Sequence, residues 1–249
     1  MRRFFVPPGL LADREVNLPP ELARRLATVL RLKRGERLVL ADGAGRDYEV
    51  ELTAVSPRAV AAVLVAERPS PPEPSLELVL YQSLIRPQRF ELVLEKGTEL
   101  GVSRFVPLLS GRARVKTPGP AGEGGSQRMQ RWRRIVTEAA EQSGRGRVPA
   151  IDPPSLIEDA ARSAPGLLLL PWEGERSRSL RSYLRSLGDR PLAASLFIGP
   201  EGGFAEDEVR LAREAGCVPI SLGPRILRSE TAGIVAAALV MHELGEMGG

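Results

Sequence analysis

Two stretches constrain this chain more than any other: LFIGPEGGF at residues 196–204 and ISLGPRILRSETA at residues 220–232. Leu196, Phe197 and Ile198 read as the end of a buried strand. Gly199, Pro200, Glu201, Gly202 and Gly203 then end that strand in a loop with almost no side-chain bulk. A second strand, residues 218–222, runs into a second bare loop at Gly223 and Pro224. Two strands that each empty into such a loop make a ligand edge in an open α/β sheet. No Lys follows the glycines, and the spacing is not GxGxxG, so neither standard phosphate-binding pattern applies. The glycines instead let a ligand lie against bare backbone.

Taken in order, residues 1–68 read as a small β-rich unit. Short apolar runs fall at residues 4–6, 37–40, 48–55 and 60–65, separated by turn residues such as Asp42-Gly43. Residues 37–40 and 48–52 form a hairpin in this reading, and residues 20–29 a helix with Leu22, Leu26 and Val29 on one stripe. Beside that helix, Arg24, Arg25, Arg31, Lys33, Arg34 and Arg37 cluster near turns, which suits contact with RNA as well as it suits a solvated face. Four prolines within ERPSPPEPS, residues 67–75, mark a stiff linker, with 69–75 as its core.

From residue 76 to 249, strands and helices alternate, the pattern of a mostly parallel sheet. Strands are expected at 76–82, 105–109, 167–170 and 194–198, and helices at 88–100, 128–142, 180–187, 206–215 and 231–244. Gly101 sits where a left-handed helix cap is cheap. Residues 116–127 are rich in Gly and Pro and read as a surface loop. Trp132 and Trp172 read as core residues. The last helix is apolar nearly all round, which implies burial on several sides, in a core or against a partner chain.

Composition narrows the chemistry. All but three of the 35 basic residues are Arg, and the formal charge is +4. Arg suits phosphate and stacks on bases, although an Arg-rich genome gives the same count. Cys217 and His242 are the single residues of their kinds, which excludes an internal disulfide and a Cys-based metal site, and argues against a His triad or His metal cluster. No metal is expected. No apolar run reaches the ~20 residues of a membrane span, and MRRFFVPPGLL lacks the apolar core of a signal peptide. A cytoplasmic protein is the default expectation. Between Arg112 and Arg147, nine basic residues stand against three acidic ones. Arg112, Arg114, Arg131, Arg134, Arg145 and Arg147 in that region are candidate RNA contacts.

Arg225, Arg228 and Glu230 interrupt an otherwise apolar segment just before the last helix, where buried charge is costly unless paired or used. Ser229 can cap that helix and Glu230 suits its positive end. Through these residues the chain resembles the SPOUT class of S-adenosylmethionine-dependent RNA methyltransferases. More narrowly, it is similar to the bacterial family that methylates ring nitrogen 3 of a uridine in small-subunit ribosomal RNA. FELVLEKGTELGVSRFVPLLSGRARV at residues 90–115, RWRRIVTEAAEQSGRGRVP at 131–149 and the opening RRFFV carry the resemblance across nearly the whole chain. The family usually has Thr at the position of Ser229, Asn at that of Gly146, and a His-containing segment at 21–25.

The resemblance implies an α/β SPOUT domain with a C-terminal trefoil knot, preceded by a PUA-like RNA-binding β-barrel, and a homodimer. It implies that S-adenosylmethionine is held by Leu170, Pro171, Ile198, the loop from Gly199 to Gly203, Ser221, Leu222, Gly223, Ile226, Leu227, Arg228, Thr231 and Ala232. The adenine would lie among Leu222, Ile226 and Leu227. Removing the imide proton of uridine calls for a cation near a carbonyl oxygen and a proton acceptor. Arg228 is the first choice for the cation; Glu230 and Glu99 are candidates for the base or an orienting group. Glu99 has a plainer reading, a helix-surface partner of Lys96. Two other functions share these motifs: a ribose 2′-O-methyltransferase acting on tRNA or rRNA, and a non-catalytic RNA-binding protein.

Overall fold

A computed structural model of the chain describes residues 1–11, 14–111 and 123–248. It divides into two compact units, Met1–Glu73 with Ala140–Val148, and Pro74–Ala139 with Pro149–Gly249.

The first unit is a five-stranded sheet in the order β1-β3-β4-β5-β2, with β1 Arg3–Phe5, β2 Glu15–Asn17, β3 Arg37–Ala41, β4 Arg46–Val55 and β5 Val60–Pro69. β3 and β4 form the expected hairpin, with Leu40 opposite Tyr48. Alternate residues Leu38, Leu40, Val50, Leu52, Val60 and Ala62 pack with Phe4, Val16 and Leu26 in one core; the β2–β5, β3–β4 and β4–β5 pairs are antiparallel, while β1 pairs with β3 in parallel. The helix expected over residues 20–29 is α-helical only at α1, Pro20–Arg24, and continues as a π-turn, Arg25–Val29. There the Leu30 N–H reaches the carbonyl of Arg25, five residues back. The wider turn rotates Val29 off the stripe, leaving it 71% exposed while Leu26 is fully buried. The linker also begins later than its prolines suggest. β5 runs to Pro69, where Arg68 pairs with Asp47, because a proline at a strand's end breaks no needed ladder bond. Residues 140–148 belong with this unit through carboxylates: Glu141 accepts from the Phe5 N–H and from Arg25, and Glu73 accepts from Arg145 and the Gly146 and Arg147 N–H groups.

The second unit is built on a sheet whose named strand pairs are all parallel, in the order β12-β10-β11-β6-β7-β8. Its strands are β6 Glu77–Ser83, β7 Arg104–Leu109, β8 Ala150–Ile151, β10 Leu167–Pro171, β11 Ala193–Ile198 and β12 Val218–Ile220; β9 Ser155–Leu156 pairs with β7 off the main path. β6 is buried from Leu78 to Ser83, as a parallel strand covered on both faces must be. Its two faces serve different layers. Val79 and Tyr81 pack with Phe197, Val209 and Ala212 toward α4 (Ile157–Ser163) and α6 (Glu206–Glu214). On the other face lie α2 (Pro87–Glu99) and α7 (Ser229–Glu243), which pack on each other, with α7 also on β6 and β11. α3 (Glu123–Ser143) begins five residues before the expected helix start, so Glu123–Gln127 is helical rather than loop; local Gly propensity is overridden by the amphipathic stretch behind it. Residues 116–122 of the expected loop lie outside the described residues. α5 spans Leu180–Arg185 and, unlike α7, has a true side-chain cap at Ser179.

Tyr81 and Phe197 stack with ring centroids 4.4 Å apart and planes within 5°. Phe197 is fully buried, and Trp132 and Trp172 both lie in the second unit. Phe197→Ala should therefore lower the stability of the tryptophan-monitored unfolding transition in denaturant by about 3–5 kcal/mol. Burial alone pushes the Cys217 thiol up to about 12. Folded protein at pH 8.5 should resist a thiol-alkylating reagent that labels the unfolded chain within minutes. Below the unfolded thiol's pKa both states carry the neutral thiol. Above it only the unfolded state ionises, so this group lowers stability as pH rises.

Candidate functional site

Strand pairing gathers the bare loops. Leu169 pairs with Leu196 on β11 and with Val218 on β12, so the carboxyl ends of β10, β11 and β12 finish side by side. The segment after β10 is stitched to the one after β12. Trp172 donates its N–H to the Ile220 carbonyl, Ser221 donates to Arg178, and Leu180 donates to Ser221. Leu170, Pro171, Ile198, Gly199, Ser221 and Leu222 thus share one sheet edge.

The loop after β11 is shaped by what its glycines lack. A Cβ on Gly199 would lie 3.2 Å from the Phe204 backbone nitrogen. Gly203 has φ +70, closes a turn onto the Pro200 carbonyl, and would meet the Glu173 carboxylate if it bore a Cβ. Beside it, Trp172, Glu173, Phe204, Glu206 and Asp207 line a hollow of about 420 Å³. Neither Trp172, expected in a core, nor Glu173 stood among the residues expected at the donor site. Trp172 is only partly buried and lines this hollow, which the expectation of a core residue did not foresee. The signal available was their position, immediately after Pro171.

Two contacts fix the loop from outside. Ser229 Oγ donates to the Gly199 carbonyl at 2.5 Å and accepts from Gln82 Nε2 at 2.9 Å. It makes no N-cap bond; Arg228 occupies the cap position, with extended backbone. Arg89 donates to Glu201 at 2.9 Å and approaches Glu230 at 3.5 Å, so one guanidinium spans the Gly-rich loop and the start of α7. Gln82, Arg89 and the side chain of Glu201 enter the site through register and helix position, which no local motif announces.

Arg225 and Arg228 are exposed, not buried, and neither forms an ion pair among the described residues. The segment lifts them out, together with Ile226, which is 87% exposed. Gly223, Leu227, Thr231 and Ala232 lie on the same segment and the first turn of α7, with Leu227 and Ala232 half-buried. Glu230 is 8% exposed, and its Oε2 has no hydrogen-bond partner among the described residues. The structure does not bring Glu99 to this cluster. It is exposed, pairs with Lys96 at 2.9 Å, and sits ten residues along α2 from Arg89, roughly 15 Å at helical rise.

The candidate RNA contacts divide. Arg24, Arg31, Lys33, Arg34, Arg134 and Arg147 are exposed with no ion pair among the described residues. Arg31 is held at φ +52, a costly backbone for a side chain of its size. Arg25 is half-covered by Glu141 and the Phe4 ring. Arg131 is held two-pronged by Glu91. Arg145, with a side chain 9% exposed, is a structural partner of Glu73 rather than a surface contact; the charge count treated it as solvent-facing. Beside it Gly146 has no room for the Asn of the resembling family, since a Cβ would lie 2.8 Å from the Pro71 carbonyl. Arg112 and Arg114 lie outside the described residues. Among the described residues there is no cluster fit to hold a metal ion, and no helix long and apolar enough to cross a membrane.

Comparison with known proteins bears on the fold and the family. Residues 71–241 match the family described as RNA methyltransferase domain, and residues 24–65 the family described as RNA methyltransferase PUA domain. The protein of Synechocystis sp. named ribosomal RNA small subunit methyltransferase E is 34% identical over 243 residues, covering 96% of this chain and 76% of its own. The Bacillus subtilis protein of that name is 26% identical over 254 residues, covering 98% and 97%. A crystal structure of ribosomal RNA small subunit methyltransferase E from Neisseria gonorrhoeae, bound to S-adenosyl methionine, superposes with a TM-score of 0.86 at 33% identity, covering 97% of each chain. An α/β unit with a parallel sheet, a PUA-like unit at the N-terminal side and relatives of this identity and coverage make the chain a member of the ribosomal RNA small subunit methyltransferase E family.

Proposed function

We propose that this protein methylates ring nitrogen 3 of a uridine in small-subunit ribosomal RNA, with S-adenosylmethionine as donor. The observation that carries the reading is the sheet edge at β10, β11 and β12, where two side-chain-poor loops meet a buried carboxylate oxygen with no partner. The residues fit the donor. The hollow beside Gly203 combines apolar Trp172 and Phe204 with acidic Glu173, Glu206 and Asp207, which suits a ligand carrying sulfonium and ammonium charges. Exposed Ile226 and half-buried Leu222 and Leu227 offer an apolar bed for its adenine.

When bound, S-adenosylmethionine supplies an electrophilic methyl carbon. The protein's task is then positioning and proton removal. The imide N–H of uridine must lose its proton before the nitrogen lone pair is available. Glu230 Oε2 is the acceptor in this reading, its other oxygen facing Arg89. Arg228 lies next to Glu230's helix turn with its charge unspent, and it stabilises the negative charge that develops on the flanking carbonyl oxygen. Exposed arginines of the first unit and of α3 hold the RNA backbone. A ribosomal substrate sets this work in the cytoplasm.

A knotted path is part of the reading. β12 lies at the sheet's edge beyond β10, yet α7 returns to pack on β6 and β11, which supports a path of residues 221–228 across the loops after β10 and β11. A homodimer is supported by α7, whose inner face is buried while Ile234, Val235 and Ala238 stay half-open and Leu239 is 38% exposed.

Arg228→Ala should lower methyl transfer to small-subunit RNA by about 10²–10³-fold. Its affinity for S-adenosylmethionine, measured by calorimetry, should hold within about threefold; equal loss of both would make Arg228 structural. Ser229→Ala should weaken donor affinity by about tenfold, the loss of roughly one buried hydrogen bond. Ser229→Thr should restore it. Parent protein that takes up no S-adenosylmethionine, and methyl found on ribose in digested product RNA, are the two results that would each end the reading.

A further inference from the structure

We propose that a groove at the carboxyl end of β6, apart from the donor loops, binds one unpaired nucleotide of the RNA, flanking the one that is methylated. This rests on the methyltransferase reading above. The groove has a volume of about 450 Å³, inside the range of small-ligand sites. Its floor is apolar: Ile85, Phe90 and Trp132, with the Phe90 and Trp132 rings 4.6 Å apart. Its rim carries Gln88, Gln127 and Arg128.

Those three rim side chains are unspent. Neither amide makes a side-chain hydrogen bond among the described residues, and Arg128 has no carboxylate partner there; its guanidinium sits 6.0 Å from the Trp132 ring centroid. A primary amide offers a donor and an acceptor together, the pattern needed to read the edge of a pyrimidine or purine. A guanidinium over an apolar floor can stack on a base or hold its phosphate. The one carboxylate in the lining, Glu91, is neutralised by Arg131 at 2.5 and 2.8 Å, so the groove presents net positive charge to a polyanion.

Location gives the groove its role. Ile198, at the end of β11, pairs with Gln82 on β6, so the Gly-rich loop and the segment from Leu84 leave neighbouring strands on the same side of the sheet. Strands lie about 4.8 Å apart. Gln88 is followed directly by Arg89, which touches Glu201 of that loop. A base seated on Gln88 and Arg128 therefore lies beside the base presented to Glu230 and Arg228. The groove admits a splayed base, not the edge of a duplex, which points to a loop or bulge in the RNA.

The test uses the full chain. Trp172→Phe leaves Trp132 as the sole tryptophan. Titrating that protein with a hexauridine oligoribonucleotide should quench Trp132 emission saturably. Adding Arg128→Glu or Gln88→Ala should lower the oligonucleotide's affinity by at least about fivefold, the scale of one base contact. In the otherwise unaltered chain the same substitutions should raise KM for ribosomal RNA by a similar factor. Donor affinity by calorimetry should stay within twofold, which also reports that the variants fold. Absence of quenching, or groove variants with unchanged RNA affinity and KM, would overturn the proposal, as would quenching by small-subunit proteins and not by RNA. A parent protein that binds no donor would instead strike the methyltransferase reading itself.

Discussion

A loop made of glycines cannot hold its own shape, because each glycine gives up more backbone freedom on ordering than any other residue. The site therefore depends on the hydrogen bond from Ser229 to the Gly199 carbonyl, backed by Gln82. Each partner comes from a different element, and the fold delivers all three. Register sets Gln82 beside Ile198, one residue before Gly199. Packing of α7 on β6 and β11 brings its first residue over the same point. A slip of one residue in β6 would turn Gln82 to the opposite face of the sheet. The sheet's core, Phe197 and Tyr81 above all, is thus the device that keeps the register and through it the loop.

Charge follows a similar logic. An arginine count describes a surface only after the carboxylates have taken their share. Glu73, Glu91, Glu141, Glu201 and Glu243 each hold at least one guanidinium within 4 Å. Where those pairs are buried, as at Arg145, losing one partner would strand a charge, so the arginine is committed to structure. The arginines left over are the informative ones. Arg128, Arg225 and Arg228 all lie in the second unit, on or near segments that follow carboxyl ends of its strands. Exposed pairs elsewhere contribute little to stability and speak more to solubility.

How much of this the sequence disclosed depends on whether the information was local. The two Gly/Pro loops, the β3–β4 hairpin, the parallel order of strands and helices, and the left-handed Gly101 at φ +96 were legible because each is encoded within a few residues. The π-turn that throws Val29 outward was not, since helical spacing assumes 3.6 residues per turn. Nor was the strand reach of Pro69, which depends on where β4 begins, at Arg46. Arg145 looked like a surface cation because its partner, Glu73, is 72 residues away. Arg89 and Gln82 were invisible for the same reason. They are ordinary residues of a helix and a strand until tertiary register sets them against Glu201 and Ser229.

The polar atoms that remain unsatisfied complete the physical picture. Buried acceptors without donors are few in folded proteins, because each costs its desolvation in full. Here Glu230 Oε2 and Gln82 Oε1 both fall within the small region where α7 meets the Gly-rich loop. Gln82 Oε1 lies so near Gly233 that a Cβ there would stand 2.6 Å away, so helix packing accounts for its isolation. No such packing accounts for Glu230. Its other oxygen faces Arg89, and it sits one residue from Ser229, which is fully engaged. The oxygen left bare beside an engaged Ser229 is the physical ground on which the proposed role of Glu230 as proton acceptor rests.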